Sequence, residues 1–340
     1  MKSSVLIIYT GGTIGMEVDP ITGSLTPLDF HHLEEHLPEL GKFNLNIDSI
    51  SFDVPIDSSN ITHHDWKRIA KQIESNYSKY DGFVVLHGSD TMAYTASALS
   101  FMLYGLTKPV ILSGSQLPIG QIRTDGKENL ITAIEIAGTK NEDGSAKIPE
   151  VAVFFEDELY RGNRTHKNST EYFDAFNSPN YPILAKAGVS IKYKSNYIHK
   201  PIDEKFEVLT EMGDDLQVLY LYPGISLNSV ESILVTPKLK VLIMLTFGAG
   251  NAPTADWFIN LLEAAIQKGI VVFNISQCDT GTVQQGKYST SSKLEKIGVT
   301  GGSDILIEAA ITKTMHLLGK NLEPNELRFA LSRSLKGEMA

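Results

Sequence analysis

Two clusters of side chains have the types and spacing needed for covalent chemistry. The first is Tyr9-Thr10-Gly11-Gly12-Thr13-Ile14-Gly15, where an apolar, β-prone run stops in glycines and hydroxyls. Glycine lets a backbone come close to a substrate. A hydroxyl held there, such as that of Thr13, can attack an acyl carbon once a base or charged neighbour activates it. The plainer reading is a glycine turn with incidental threonines. The second cluster is His87-Gly88-Ser89-Asp90-Thr91-Met92, which follows the apolar run Phe83–Leu86. Asp90 and Thr91 fall at a helix start, where such side chains cap free N–H groups, and Thr91 is assigned to that task. Ser89 and Asp90 are then left at the same sheet edge as Thr13. The polar run Arg161-Gly162-Asn163-Arg164-Thr165-His166-Lys167 reads as a solvated loop or as the source of a basic partner. A neutral lysine beside a hydroxyl can accept its proton.

Other chemistries fit the residues less well. The first loop lacks the G-x-G-x-x-G spacing, and Asp19-Pro20 argues against the helix start a pyrophosphate needs. The Gly-Lys-Ser/Thr of a phosphate loop is absent. His31, His32 and His36 have helical spacing but no nearby paired carboxylates, so they read as solvated side chains. His87 could act as a base, although a packed histidine at a strand end is favoured. Cys278 is the only cysteine, which excludes an intrachain disulfide, and it reads as a small buried side chain.

These clusters need a sheet to hold them. Near-continuous apolar runs at Val5–Tyr9, Phe83–Leu86, Val110–Leu112, Val151–Phe155, Val241–Leu245 and Ile270–Asn274 suit strands buried on both faces of a parallel sheet. Helix patterns lie between them. Trp66, Ile69, Ile73 and Tyr77 mark one face, with His63-His64-Asp65 as its cap. Thr91–Gly105, Asp125–Ala137 and Pro253–Lys268 follow, the last capped by Thr254. The expected fold class is α/β: an N-terminal, mostly parallel sheet flanked by helices, plus a smaller C-terminal α/β domain. The expected domains are 1–205, with a hairpin or linker near 186–205, and 206–340. No internal repeat is present.

Composition narrows the partners. The 340 residues are 42% hydrophobic and 21% charged, with a net charge of −10. Such an acidic chain has no broad attraction for nucleic acid or anionic membranes. No stretch approaches the roughly 20 apolar residues of a membrane span, and Val5–Ile8 is short for a signal peptide. A cytoplasmic protein acting on a small molecule and associating with copies of itself is expected.

Together the two clusters resemble the asparaginase family, in particular its intracellular type I members. Supporting stretches are Asp57-Ser58-Ser59, Leu112–Gln116, Tyr160–Thr165, Gly248–Pro253 and Asn274–Gly281, so the resemblance spans essentially the whole chain. It implies that Thr13 is the nucleophile that forms an aspartyl ester and releases ammonia from L-asparagine. It implies that Ser89 and Lys167 move protons and that Asp90 binds the α-amino group. Asp57 and Ser58 would grip the amino and carboxylate groups, with a backbone contact from Ser59. Asn251 would reach a site across a subunit interface. The resemblance further implies a tight homodimer, often a homotetramer, and no metal or organic cofactor. This sequence departs from the family at Ser89, where threonine is usual, and in Asp19–Pro27, which lacks the usual tyrosine. Thr22, Ser24 or Thr26 could replace that tyrosine in positioning Thr13, and the loop reads as a lid. Rival readings are a glutaminase-asparaginase, a related amidohydrolase such as an amidotransferase subunit, or a non-catalytic amino-acid sensor.

Overall fold

The computed structural model describes residues 2–18, 25–27, 38–201, 204–286 and 289–340, with side chains omitted at 17–18, 25–27 and 289–291. The loop residues Thr22 and Ser24 and the histidines His31, His32 and His36 lie outside the described residues. The chain divides into two compact units, Met1–Thr210 and Glu211–Ala340.

The first unit is built on one eight-stranded sheet. Its strands are β1 (Ser3–Tyr9), β2 (Leu45–Ser51), β3 (Gly82–Leu86), β4 (Val110–Ser113), β5 (Val151–Phe155), β6 (Glu158–Arg161), β7 (Ala185–Lys186) and β8 (Lys192–Tyr193). Their spatial order is β8-β7-β6-β5-β4-β3-β1-β2. The β1–β5 pairs are parallel and those from β5 to β8 antiparallel. Every residue of β3 and β5 is buried, which explains their unbroken apolar composition. Edge strand β2, Leu-Asn-Ile-Asp-Ser-Ile-Ser, alternates and is half-exposed, so it lacks the continuous run that marks the inner strands.

Three helices connect the parallel strands: α1 (His63–Asn76), α2 (Met92–Met102) and α3 (Gly126–Gly138). Leu130, Ala133, Ile134 and Ala137 of α3 share one core cluster with Val5, Ile7, Val84, Leu86 and Ile111. At the start of α1, Thr62 N–H and Oγ1 donate to Asp65 Oδ2 at 3.0 and 2.8 Å, so Asp65 alone of His63-His64-Asp65 does the capping.

The second unit holds a four-stranded parallel sheet, β9 (Leu216–Tyr220), β10 (Val241–Thr246), β11 (Val271–Ser276) and β12 (Thr300–Gly301). Its helices are α4 (Leu227–Leu234), α5 (Asp256–Gln267), α6 (Ser289–Ile297), α7 (Ile307–Leu318) and α8 (Pro324–Leu331). Alternation along the strands divides the core. Leu242, Met244 and Val272 pack with Phe258 and Leu262 of α5, while Val241, Ile243 and Phe273 pack with Ala309 and Leu317 of α7. The cap of α5 differs from expectation: Ala255, not Thr254, is the N-cap and makes no side-chain bond. Asp256 stands in the first turn instead, where a carboxylate suits the helix dipole.

Candidate active site

The carboxyl ends of β1 and β3 lie side by side, because Tyr9 is in register with Leu86. Loops leaving such neighbouring ends must meet, and open parallel sheets bind ligands there. After β1 the backbone turns through Gly11 and Gly12, with φ of 139° and 91°, into a short helical turn Thr13–Gly15. Gly12 has to be glycine twice over. Its φ disfavours an L side chain, and a Cβ would sit 2.5 Å from the Gly88 nitrogen. Tyr9 braces the turn, donating its hydroxyl to Gly15 O at 3.1 Å. Burial pushes that phenol up to about 12, so it stays a protonated donor. Thr13 itself is half-buried.

The loop after β3 forms a second short turn, Ser89–Thr91, ahead of α2. Thr91, expected from the sequence to cap α2, makes no such side-chain bond. Its Oγ1 donates to Ser58 O at 2.7 Å and ties the Asp57 loop to the Ser89 loop. Those loops are also packed tightly, since a Cβ on Gly88 would meet Ser58 Oγ at 2.6 Å. The loops of Thr13, Asp57–Ser59 and Ser89–Asp90 therefore converge on Gly88. Ser58 is buried and Asp57 is exposed. Asp57 accepts from the backbone N–H and hydroxyl of Ser59, both at 2.9 Å. The backbone bond first, then the hydroxyl, holds its carboxyl below the usual range.

Lys167 approaches from a third direction. It lies in a two-residue strand, His166–Lys167, paired with Phe176–Asn177, and Phe176 packs on Phe155 with ring centres 4.9 Å apart. The preceding residues 161–165 are buried, not solvated. Arg161 Nε donates to Glu150 Oε2 at 2.8 Å, and the Arg161 and Arg164 guanidinium carbons lie 4.4 and 5.4 Å from the Tyr181 ring centre. So anchored, Lys167 places Nζ 2.8 Å from Ser89 Oγ and 2.7 Å from Asp90 Oδ1. The lysine side chain is 12% exposed and that of Asp90 65%, so the pair opens to solvent from the carboxylate side.

Gln116 is a site neighbour that the sequence reading did not single out. Ser89 Oγ donates to its Oε1 at 3.3 Å, and its Nε2 donates to Tyr172 O at 3.1 Å. Its own N–H donates to Asp125 at 2.9 Å. The available signal was position: Gln116 follows β4, which leaves the sheet at the same edge as β1 and β3.

His87 stands behind the site. Its Nδ1 is 2.7 Å from Gly88 O and its Nε2 2.9 Å from Thr95 Oγ1, which accepts from Trp66 Nε1 at 2.9 Å. A neutral ring with Nδ1–H donating and Nε2 accepting satisfies this chain, and burial pushes its pKa down to about 4. His87 is 1% exposed and packs rather than reacts.

Asn251 belongs to the second unit, at a bridge with Phe247 where each backbone N–H donates to the other carbonyl at 2.9 Å. Cys278 is exposed, against the expectation of burial, because it falls beyond the end of β11, where its N–H donates to Ser276 Oγ at 2.9 Å. Thr26 is described only as backbone in a ribbon, Leu25–Pro27 pairing with Met16–Val18.

The arrangement offers a hydroxyl on a braced turn, a second hydroxyl touching an amine, exposed carboxylates, and N–H groups at the starts of two short turns, which have no acceptor within them. Such a set suits acyl transfer on a small, charged amide.

Comparison with known proteins agrees. Residues 4–199 match the family model described as the asparaginase N-terminal domain, and 215–331 that of the glutaminase/asparaginase C-terminal domain. The chain is 42% identical over 344 residues to L-asparaginase 1 of Escherichia coli strain K12, covering 99% of this chain and 98% of the relative. It superposes on the crystal structure of L-asparaginase I from Vibrio cholerae with a TM-score of 0.89 at 39% identity, covering 100% of both chains. The thermostable L-asparaginase from Thermococcus kodakarensis also gives a TM-score of 0.89, at 28% identity and 99% coverage of each chain.

Proposed function

The chain belongs to the asparaginase family, and from that premise we propose that it hydrolyses L-asparagine to L-aspartate and ammonia through an ester on Thr13. The observation that carries the mechanism is the contact of Lys167 Nζ with both Ser89 Oγ and Asp90 Oδ1, at 2.8 and 2.7 Å. Thr13 Oγ attacks the side-chain amide carbon of the substrate. Its proton passes along Ser89 and Lys167 to the amide nitrogen, the C–N bond breaks, and ammonia leaves. Water then attacks the ester carbon and gives up a proton to the same path, Thr13 regains its hydrogen, and aspartate departs. Splitting the reaction at a covalent ester replaces one hard step with two easier ones. The N–H groups that open the two turns face the developing oxyanion.

The zwitterionic substrate is held at its other end. Asp57 and Asp90 take the α-amino group, Ser58 the α-carboxylate, and the Ser59 backbone adds a contact. Asn251 completes the site from a neighbouring copy of the chain, so the active form is a homodimer or homotetramer. We place the enzyme in the cytoplasm. Among the described residues no helix is long and apolar enough to cross a membrane.

The test is steady-state ammonia release with asparagine and with glutamine, paired with the Thr13→Ala variant. Turnover of asparagine well above glutamine, abolished in the variant, is expected. Equal turnover of both amides would assign a glutaminase-asparaginase. Asparagine binding without ammonia and without a trapped ester would assign a sensor and overturn the mechanism.

A further inference from the structure

The opposite edge of the first sheet, where its parallel strands begin, carries a cavity of about 580 Å³. Asp81 directly precedes β3, Lys108 lies just ahead of β4, and Pro149 lies just ahead of β5. At about 3.3 Å per residue, the length of β3 alone puts this edge roughly 17 Å from the Ser89 turn.

The charge of the cavity runs against that of the chain. The protein has 40 acidic and 30 basic residues. The cavity walls hold Lys108, Lys140, Lys147 and Lys200 against the single carboxylate of Asp81. That carboxylate is already fully engaged. Its Oδ1 accepts from Lys140 Nζ at 2.9 Å, and its Oδ2 accepts from the Ser4 N–H and hydroxyl at 2.8 and 3.2 Å. Lys108 Nζ donates to the carbonyls of Tyr77 and Tyr80 at 2.5 and 2.6 Å, which engages two of its three hydrogens without neutralising its charge. Lys147 lies 5.5 Å from the Tyr193 ring centre. Among the described residues, neither Lys147 nor Lys200 has a carboxylate within ion-pair distance. Glu150 is neutralised by Arg161 and also accepts from the His199 N–H, whereas Asp143 accepts from the Ser145 N–H and keeps its charge on the loop between Lys140 and Lys147. The rest of the wall includes Pro149, Ile198 and Pro201, which are apolar.

Four lysines and one carboxylate line this open cavity, and a wall with that excess of positive charge suits multiply charged phosphate. The volume lies within the range of small-molecule sites. We propose that this cavity binds a polyphosphate group, free or carried by a nucleotide whose ring lies against Pro149, Ile198 and Pro201. The site is separate from the hydrolytic one and does not depend on it.

The test is calorimetric titration of the full chain with ATP and, separately, with inorganic tripolyphosphate. Binding with Kd well below about 1 mM is expected for at least one probe. The double variant Lys147→Gln/Lys200→Gln should weaken that binding at least about tenfold, since each charged hydrogen bond lost is worth over a factor of ten. Ammonia release by the variant, without added ligand, stays at the wild-type level. Tighter binding of ATP assigns the nucleotide, and equal binding assigns the phosphate chain alone. Failure of both probes to bind below that limit would overturn the proposal. So would unchanged affinity in the double variant.

Discussion

Ser89 holds its hydroxyl by partners rather than by a methyl group. Lys167 Nζ donates to it at 2.8 Å, and it donates to Gln116 Oε1 at 3.3 Å. A threonine at this position would add rotamer restriction to a group already fixed at both ends. Ser89→Thr is therefore expected to keep kcat within a few-fold, read by ammonia release. On the proposed mechanism Ser89→Ala breaks the proton path and should lower kcat by roughly 10²–10⁴, the usual worth of a positioned proton-transfer group. A smaller loss in Ser89→Ala would mean that Lys167 reaches the reacting atoms without the hydroxyl.

At the scale of elements, the site is a junction of three loops pressed together at Gly88. The contact leaves no room for a methyl, because a Cβ on Gly88 would lie 2.6 Å from Ser58 Oγ, and Ser58 is buried. Gly88→Ala should force the Asp57–Ser59 loop away and reduce kcat/KM at least about tenfold, and up to the roughly hundredfold that an ångström of misplacement can cost. Gly41→Ala, whose Cβ would meet nothing within 4 Å, is the control and should be silent. Circular dichroism of both variants separates a local shift from lost folding. An equal loss in the control would refute the packing argument.

Across the whole molecule, buried ionisable groups set the response to pH and to mutation. Burial pushes His87 from 6.5 down to about 4, and burial with Lys320 and Lys336 nearby pushes His316 down to about 3. Both rings are neutral when folded and gain protons on unfolding below pH 6.5. The unfolded state then binds more protons, so stability falls as pH drops from about 6.5 toward 4, by about 2 kcal/mol per histidine at pH 5. Denaturant melts between pH 7 and 5 should follow this slope, and His316→Gln should remove about one proton from it. The second unit also contains a fully buried pair, Lys313 Nζ and Glu338 Oε1 at 2.8 Å. Lys313 donates further to the carbonyls of Leu331 and Arg333, while Glu338 accepts from the N–H groups of Leu335 and Lys336. The pair thereby fastens the C-terminal segment to α7. Glu338→Gln strands the ammonium and should cost about 3–5 kcal/mol in urea melts. The double change Lys313→Met/Glu338→Gln should cost less, because no buried charge is left unpaired.

The inner strands and the hydroxyls at their ends were legible from sequence because the signal is local. A strand buried on both faces must be apolar throughout, and a loop that reaches a substrate must be glycine-rich. Thr13, Ser89 and Asp90 declare themselves in this way. Edge strands β2 and β9 are half-solvated and lack that signal. Only the tertiary structure could bring Lys167 to Ser89, 78 residues away in the chain, by burying the Arg161–Thr165 segment that reads as a polar loop. It alone turned Thr91 from a helix cap into a tie to Ser58, placed Gln116 beside Ser89, and gathered lysines at the far sheet edge into one cavity. The physical reason is common to all four. Parallel crossovers bring distant strand ends together, and a side chain's partner is fixed by that register rather than by its neighbours in sequence.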